Sequence, residues 1–133
     1  MPLTYDPRSI STQVYRNLSD VKQRTPDAAK QKEQKSQAVE LYTYVATWGL
    51  LRLKAEETAL SQDSKKAVVK CFFQTLGQIA FPDKPNTVAD ASGLDYLSKQ
   101  DASEYLGLTG LALQVAREFA FWAEAVYPGI QSA

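Results

Sequence analysis

Fifteen lysines and arginines, fifteen aspartates and glutamates, one cysteine and no histidine are the groups with which this chain could do chemistry. The missing histidine excludes a Ser-His-Asp or Cys-His nucleophile, an imidazole general base and a mixed Cys/His zinc cage. Cys71 stands beside Phe72 and Phe73, where a lone thiol reads as a small core hydrophobe. Carboxylate chemistry is the remaining catalytic option. It requires Asp or Glu converging in a cleft from separate elements. The adjacent Glu56 and Glu57 instead diverge by about 100° on one helix, and they read as a solvated face. Asp63, Asp83, Asp90, Asp95 and Asp101 lie near turns or helix starts, where aspartate commonly caps. No catalytic residue, metal site or cofactor is expected, and binding is favoured over catalysis.

The cations are the better candidates. Net charge is zero, but twelve of the fifteen basic residues precede Cys71. Arg16, Lys22, Arg24, Lys30, Lys32 and Lys35 share one stretch with only Asp20, Asp27 and Glu33. Such a run forms either a solvated helix face or a phosphate-facing strip. Lys65, Lys66 and Lys70 cluster near the start of a later helix, where they oppose the macrodipole by a few tenths of a kcal/mol each, roughly.

These residues must be positioned by helices. At 133 residues, 44% apolar and 11% aromatic, the chain fits one domain with a real core. Ile10, Val14, Leu18 and Val21 form one helical stripe, ended by Pro26. A second helix is predicted from Asp27 to about Leu60, polar at first and then apolar on several sides, with Gly49 inside it. A third runs from about Lys65 to Ala80 on Val68, Val69, Phe72, Phe73, Leu76 and Ile79. The Phe81–Asn86 stretch is a proline-containing loop, and a short helix is predicted within 90–99. In the last helix Leu108, Ala112, Val115, Phe119, Trp122 and Val126 recur at heptad-like spacing. Asp101 and Glu104 have capping-box spacing for its start. Gly107 and Gly110 suggest a kink or a restart at Thr109, and Pro128-Gly129 ends it. The fold class predicted is all-α, a single-domain helical bundle of about five helices over residues 1–133, with 1–8 and 128–133 loosely ordered.

No stretch approaches the roughly 20 apolar residues of a membrane span. Met1–Asp6 has neither the basic nor the apolar region of a signal peptide. With the lone cysteine, this predicts a cytoplasmic protein that does not engage a membrane.

Two segments resemble a known family. The run Glu40-Leu-Tyr-Thr-Tyr-Val-Ala-Thr-Trp-Gly-Leu-Leu-Arg-Leu-Lys-Ala-Glu56 is similar to a helix of the small helical subunit of type III CRISPR effector complexes. So is the closing region, Tyr105-Leu-Gly-Leu-Thr109 with Ala112-Leu-Gln-Val-Ala-Arg117 and Phe119-Ala-Phe-Trp-Ala-Glu124. The chain departs from that pattern in having Trp48 before Gly49, and one cation in its closing helix where relatives tend to carry more. The resemblance implies a non-catalytic subunit that self-associates along a ribonucleoprotein filament. Its implied partners are guide RNA, target RNA and the other effector subunits. Arg52, Lys54 and Arg117 fall in the matching segments and are the implied RNA-backbone contacts. Lys65, Lys66 and Lys70 join them on charge clustering alone. For Arg52 the competing expectation is an i,i+4 ion pair with Glu56, worth about 0.3 to 0.5 kcal/mol. The alternative function is a helical protein–protein interaction or adaptor module that uses the aromatic segment from Tyr42 to Leu53.

Overall fold

A computed structural model describes residues 8–130. They form six α-helices: α1 (Arg8–Gln23), α2 (Ala28–Trp48), α3 (Leu50–Ala59), α4 (Asp63–Ala80), α5 (Gly93–Lys99) and α6 (Ala102–Val126). A 3-10 turn at Pro85–Thr87 lies between α4 and α5. The chain is a single all-α domain. Its most extensive helix pairs are α2 with α6, α1 with α6, α2 with α4, and α1 with α4, and α4 also meets α6, so α1 and α2, consecutive in sequence, occupy opposite corners.

Side-chain pairing fixes the directions. Ser11 bonds Glu118 and Tyr15 packs on Trp122, so α1 and α6 run parallel. Lys35 meets Glu124 while Tyr42 meets Arg117, so α2 opposes α6. Asn17 donates to Thr75 and Gln78 from α1 to α4. Phe72 is the hub of the core, with its ring centroid 5.2 Å from Phe73 and 5.8 Å from Phe119. Burial pushes the Cys71 thiol up to about 12, as for an apolar filler.

The α1 stripe of Ile10, Val14, Leu18 and Val21 is buried as expected. Asp27 caps α2 by accepting from the amides of Ala29 and Lys30. The second predicted helix, however, is two. Gly49 adopts φ +91°, a conformation open to glycine and strained for other residues, and the chain turns there into α3. The hydroxyl of Tyr105 accepts from the freed Leu51 amide at 2.9 Å, so α6 stabilises the corner.

Burial along α2 includes the expected apolar Leu41 and Val45 but also extends into the polar opening stretch. The polar run Gln34, Lys35, Ser36 and Gln37 is buried, whereas Trp48 is 53% exposed. The first two residues of the run bond the chain following α6. Tyr127, fully buried, donates to Gln34 at 2.9 Å, and Lys35 bonds the carbonyl of Ile130. Residues 1–7 and 131–133 of the expected loose termini lie outside the described residues.

A methyl group on Gly77 would overlap the Pro85 carbonyl, so this glycine lets the 85–87 turn close onto α4. The capping box is present. Glu104 donates its amide to Asp101 at 2.8 Å, and the Asp101 amide donates to the Glu104 side chain. No restart occurs at Thr109, because α6 runs unbroken through Gly107 and Gly110. Burial of Leu108, Ala112 and Val115 on its inner face outweighs the roughly 1 kcal/mol of helix propensity lost at each glycine.

Candidate nucleic-acid interface

Three of the six cations singled out in the sequence line one groove. It is about 380 Å³ in volume, and Lys54, Glu57, Lys66, Lys70, Gln74 and Asp90 line it together with Thr58 and the 89–94 segment. Lys66 and Lys70 are one turn apart on α4, so their side chains rise from the same face. Lys70 is exposed and Lys66 half-buried, and among the described residues neither makes an ion pair. Lys65 is half-buried and likewise unpaired, but does not line the groove.

Lys54 is at the floor in a different role. Its side chain is 3% exposed, and its ammonium bonds Glu57 at 3.0 Å and the Ala89 carbonyl at 3.1 Å. It also lies 4.7 Å from the centroid of Phe73. An ammonium so enclosed is already compensated within the fold, which makes it a support of the groove floor before it is a contact for a surface phosphate. The solvated-face reading is corrected for Glu57, while Glu56 is half-exposed. Glu57 is 9% exposed, turned inward to compensate Lys54. Asp90 occupies the groove rim with its carboxyl held below the usual range by the hydroxyl and amide of Ser92. Lys54, Lys66 and Lys70 against Glu57 and Asp90 leave one net positive charge. This arrangement can hold a phosphate through Lys66 and Lys70, with Thr58 and Gln74 as neutral partners.

The other two cations are elsewhere. Arg52 is exposed, and its guanidinium stands 4.5 Å from the Trp48 ring centroid rather than pairing with Glu56. Arg117 donates to the Tyr42 hydroxyl at 3.2 Å and lies 5.1 Å from that ring's centroid. Both arginines are exposed, with the guanidinium carbon over an aromatic ring. Gly49, Leu51 and Tyr105 join α2, α3 and α6 nearby.

From the basic stretch before α3, Lys35 is withdrawn. It is 4% exposed and paired with Glu124 at 3.2 Å. Arg24 is tied to Asp20. Sequence reasoning passed over an exposed aromatic group at the α1–α6 seam, formed by Tyr15, Phe121 and Trp122. Its signal was helical phase. Phe121 falls off the stripe running from Leu108 to Val126, and a large ring off the stripe faces solvent.

Among the described residues, no three His, Cys, Asp or Glu side chains converge as metal ligands, and no helix is long and apolar enough to cross a membrane. The molecule is thus a helical bundle carrying a small cationic groove and two arginine–aromatic stacks. Comparison of the chain with protein-family models, curated proteins and solved structures finds no match.

Proposed function

We propose that this chain is a non-catalytic small subunit of a type III CRISPR RNA-guided interference complex, which holds the guide–target RNA backbone while other subunits cut. The observation that carries the reading is the pair Lys66 and Lys70, unpaired and facing one groove. The resemblance of the 40–56 and 105–124 segments supplies the family. Arg52, Lys65 and Arg117 are further candidate contacts outside the groove, and Lys54 holds the groove floor. Neutral overall charge fits a subunit whose weak single contacts are multiplied by several copies along a filament. Such a complex works in the cytoplasm, and this chain needs no cofactor for that role.

Tagged purification from the native host tests the proposal. Recovery of repeat-derived guide RNA, a polymerase-like large subunit and a repeated backbone subunit is the expected result. A preparation free of RNA, with a single unrelated protein partner, overturns it. That outcome would favour a helical interaction module, a second reading supported by the exposure of Trp48 at 53% and Leu106 at 68%.

A further inference from the structure

Lys66 and Lys70 account for an anion in the α4 groove but leave its exposed carboxylate without a role. A groove that only gripped phosphate would gain from a neutral residue in place of Asp90, since a like charge repels the ligand. Asp90 is nevertheless held in place. Its Oδ1 accepts from the Ser92 amide at 3.0 Å and from the Ser92 hydroxyl at 2.5 Å. These bonds also favour the charged form, so the carboxylate enters the groove as an ionised acceptor. The segment that carries it is anchored from below. The Ala89 carbonyl accepts from the buried Lys54 ammonium at 3.1 Å, and Val88 is fully buried. A methyl group on Gly93 would overlap both the Val88 carbonyl and the Lys54 side chain. Since α3 packs on α4 and on α5, one framework places the two lysines and the carboxylate relative to each other.

A ligand matched to this lining brings a negative charge for Lys66 and Lys70. Within the same space of about 380 Å³ it also brings a hydroxyl that donates to a carboxylate. A ribonucleotide unit has both, in its phosphodiester and its 2′-hydroxyl, whereas a deoxyribonucleotide has only the first. Carboxylates accept from ribose hydroxyls in the same way in dinucleotide-binding sites. Ala91 and Leu94, which line the groove beside Asp90, add apolar surface suited to the carbon face of a sugar.

We infer that the groove binds a ribose–phosphate unit of an RNA strand, with Lys66 and Lys70 on the phosphate and Asp90 accepting from the 2′-hydroxyl, so that the site selects RNA over DNA. The inference rests on the RNA-backbone reading of this groove and deepens it. The lysines supply the attraction, and Asp90 supplies the choice of sugar.

The test measures, by anisotropy at low salt, the full chain's affinity for fluorescent oligouridine and for 2′-deoxy and 2′-fluoro strands of the same sequence. The fluorine keeps a ribose-like sugar pucker and removes the donor. RNA should bind about three- to tenfold tighter than either analogue, the worth of one hydrogen bond to an exposed ionised acceptor. Asp90→Asn keeps an oxygen for Ser92 and removes the charge. It should tighten binding of the deoxy strand and shrink the preference for RNA to less than about twofold. An Asp90→Asn variant that weakens all three strands alike, or leaves the preference unchanged, overturns the inference. Lys66→Glu, Lys70→Glu should weaken all three together, so the lysines and the carboxylate are read separately. Equal affinity of the unmodified protein for the three strands overturns the inference while leaving backbone binding intact, and absence of binding to any strand overturns both. Uridine 3′-monophosphate binding as tightly as the RNA strand overturns the strand assignment in favour of a free ribonucleotide.

Discussion

A lysine ammonium 3% exposed to solvent needs specific compensation, since removing a charge from water costs several kcal/mol, roughly. For Lys54 the compensation comes from Glu57 one turn along α3, the Ala89 carbonyl and the face of Phe73. Deleting one partner leaves the other charge buried alone. Lys54→Ala is therefore expected to destabilise the fold by about 3 kcal/mol or more, whereas Lys54→Met with Glu57→Leu should come close to neutral. Urea unfolding of both variants checks this, and equal losses would contradict the account. The same residue marks the limit of what the sequence made legible in the site. Lys54 and Lys66 look alike in a one-dimensional reading. Their fates differ because a carbonyl 35 residues away reaches only one of them. Glu57 was misread for the same reason, while the i,i+4 geometry that puts Lys66 and Lys70 on one face was fixed by helix periodicity.

At the level of elements, helix identity was legible wherever it depends on local spacing. The Ile10–Val21 stripe and the Asp101–Glu104 box each need only neighbours three or four residues away, and both are present. The corner at Gly49 was not legible, since a glycine within an apolar helical pattern is compatible with either continuation or a break. The contact that stabilises the corner comes from Tyr105 on another helix. The burial of Gln34 and Lys35 was hidden likewise, because their partners arrive from Tyr127 and Ile130. Glycines in α4 and α6 should respond oppositely to one added methyl. Gly77→Ala pushes against the Pro85 carbonyl and should destabilise the fold by about 1 to 3 kcal/mol. Gly107→Ala meets open space on a continuous helix and should stabilise it by up to about 1 kcal/mol. Thermal melts of the two variants should move in opposite directions. A lower melting temperature for Gly107→Ala would show that this face of α6 is already in contact with something.

The whole molecule has no net charge, so the RNA binding proposed for it has to come from local placement rather than from a general field. The structure reduces the basic stretch of α1 and α2 by burying Lys35 and pairing Arg24. It leaves Lys66 and Lys70 unpaired at one groove and seats Arg52 and Arg117 on aromatic rings. Binding by such a surface follows counterion release, and its salt dependence counts phosphate contacts. The most direct measurement is the salt dependence of single-stranded RNA binding by the unmodified chain and by Lys66→Gln, Lys70→Gln. Loss of two phosphate contacts predicts weaker binding and a slope of log affinity against log salt shallower by about 1.4. Identical slopes and affinities would contradict the assignment of this groove to RNA.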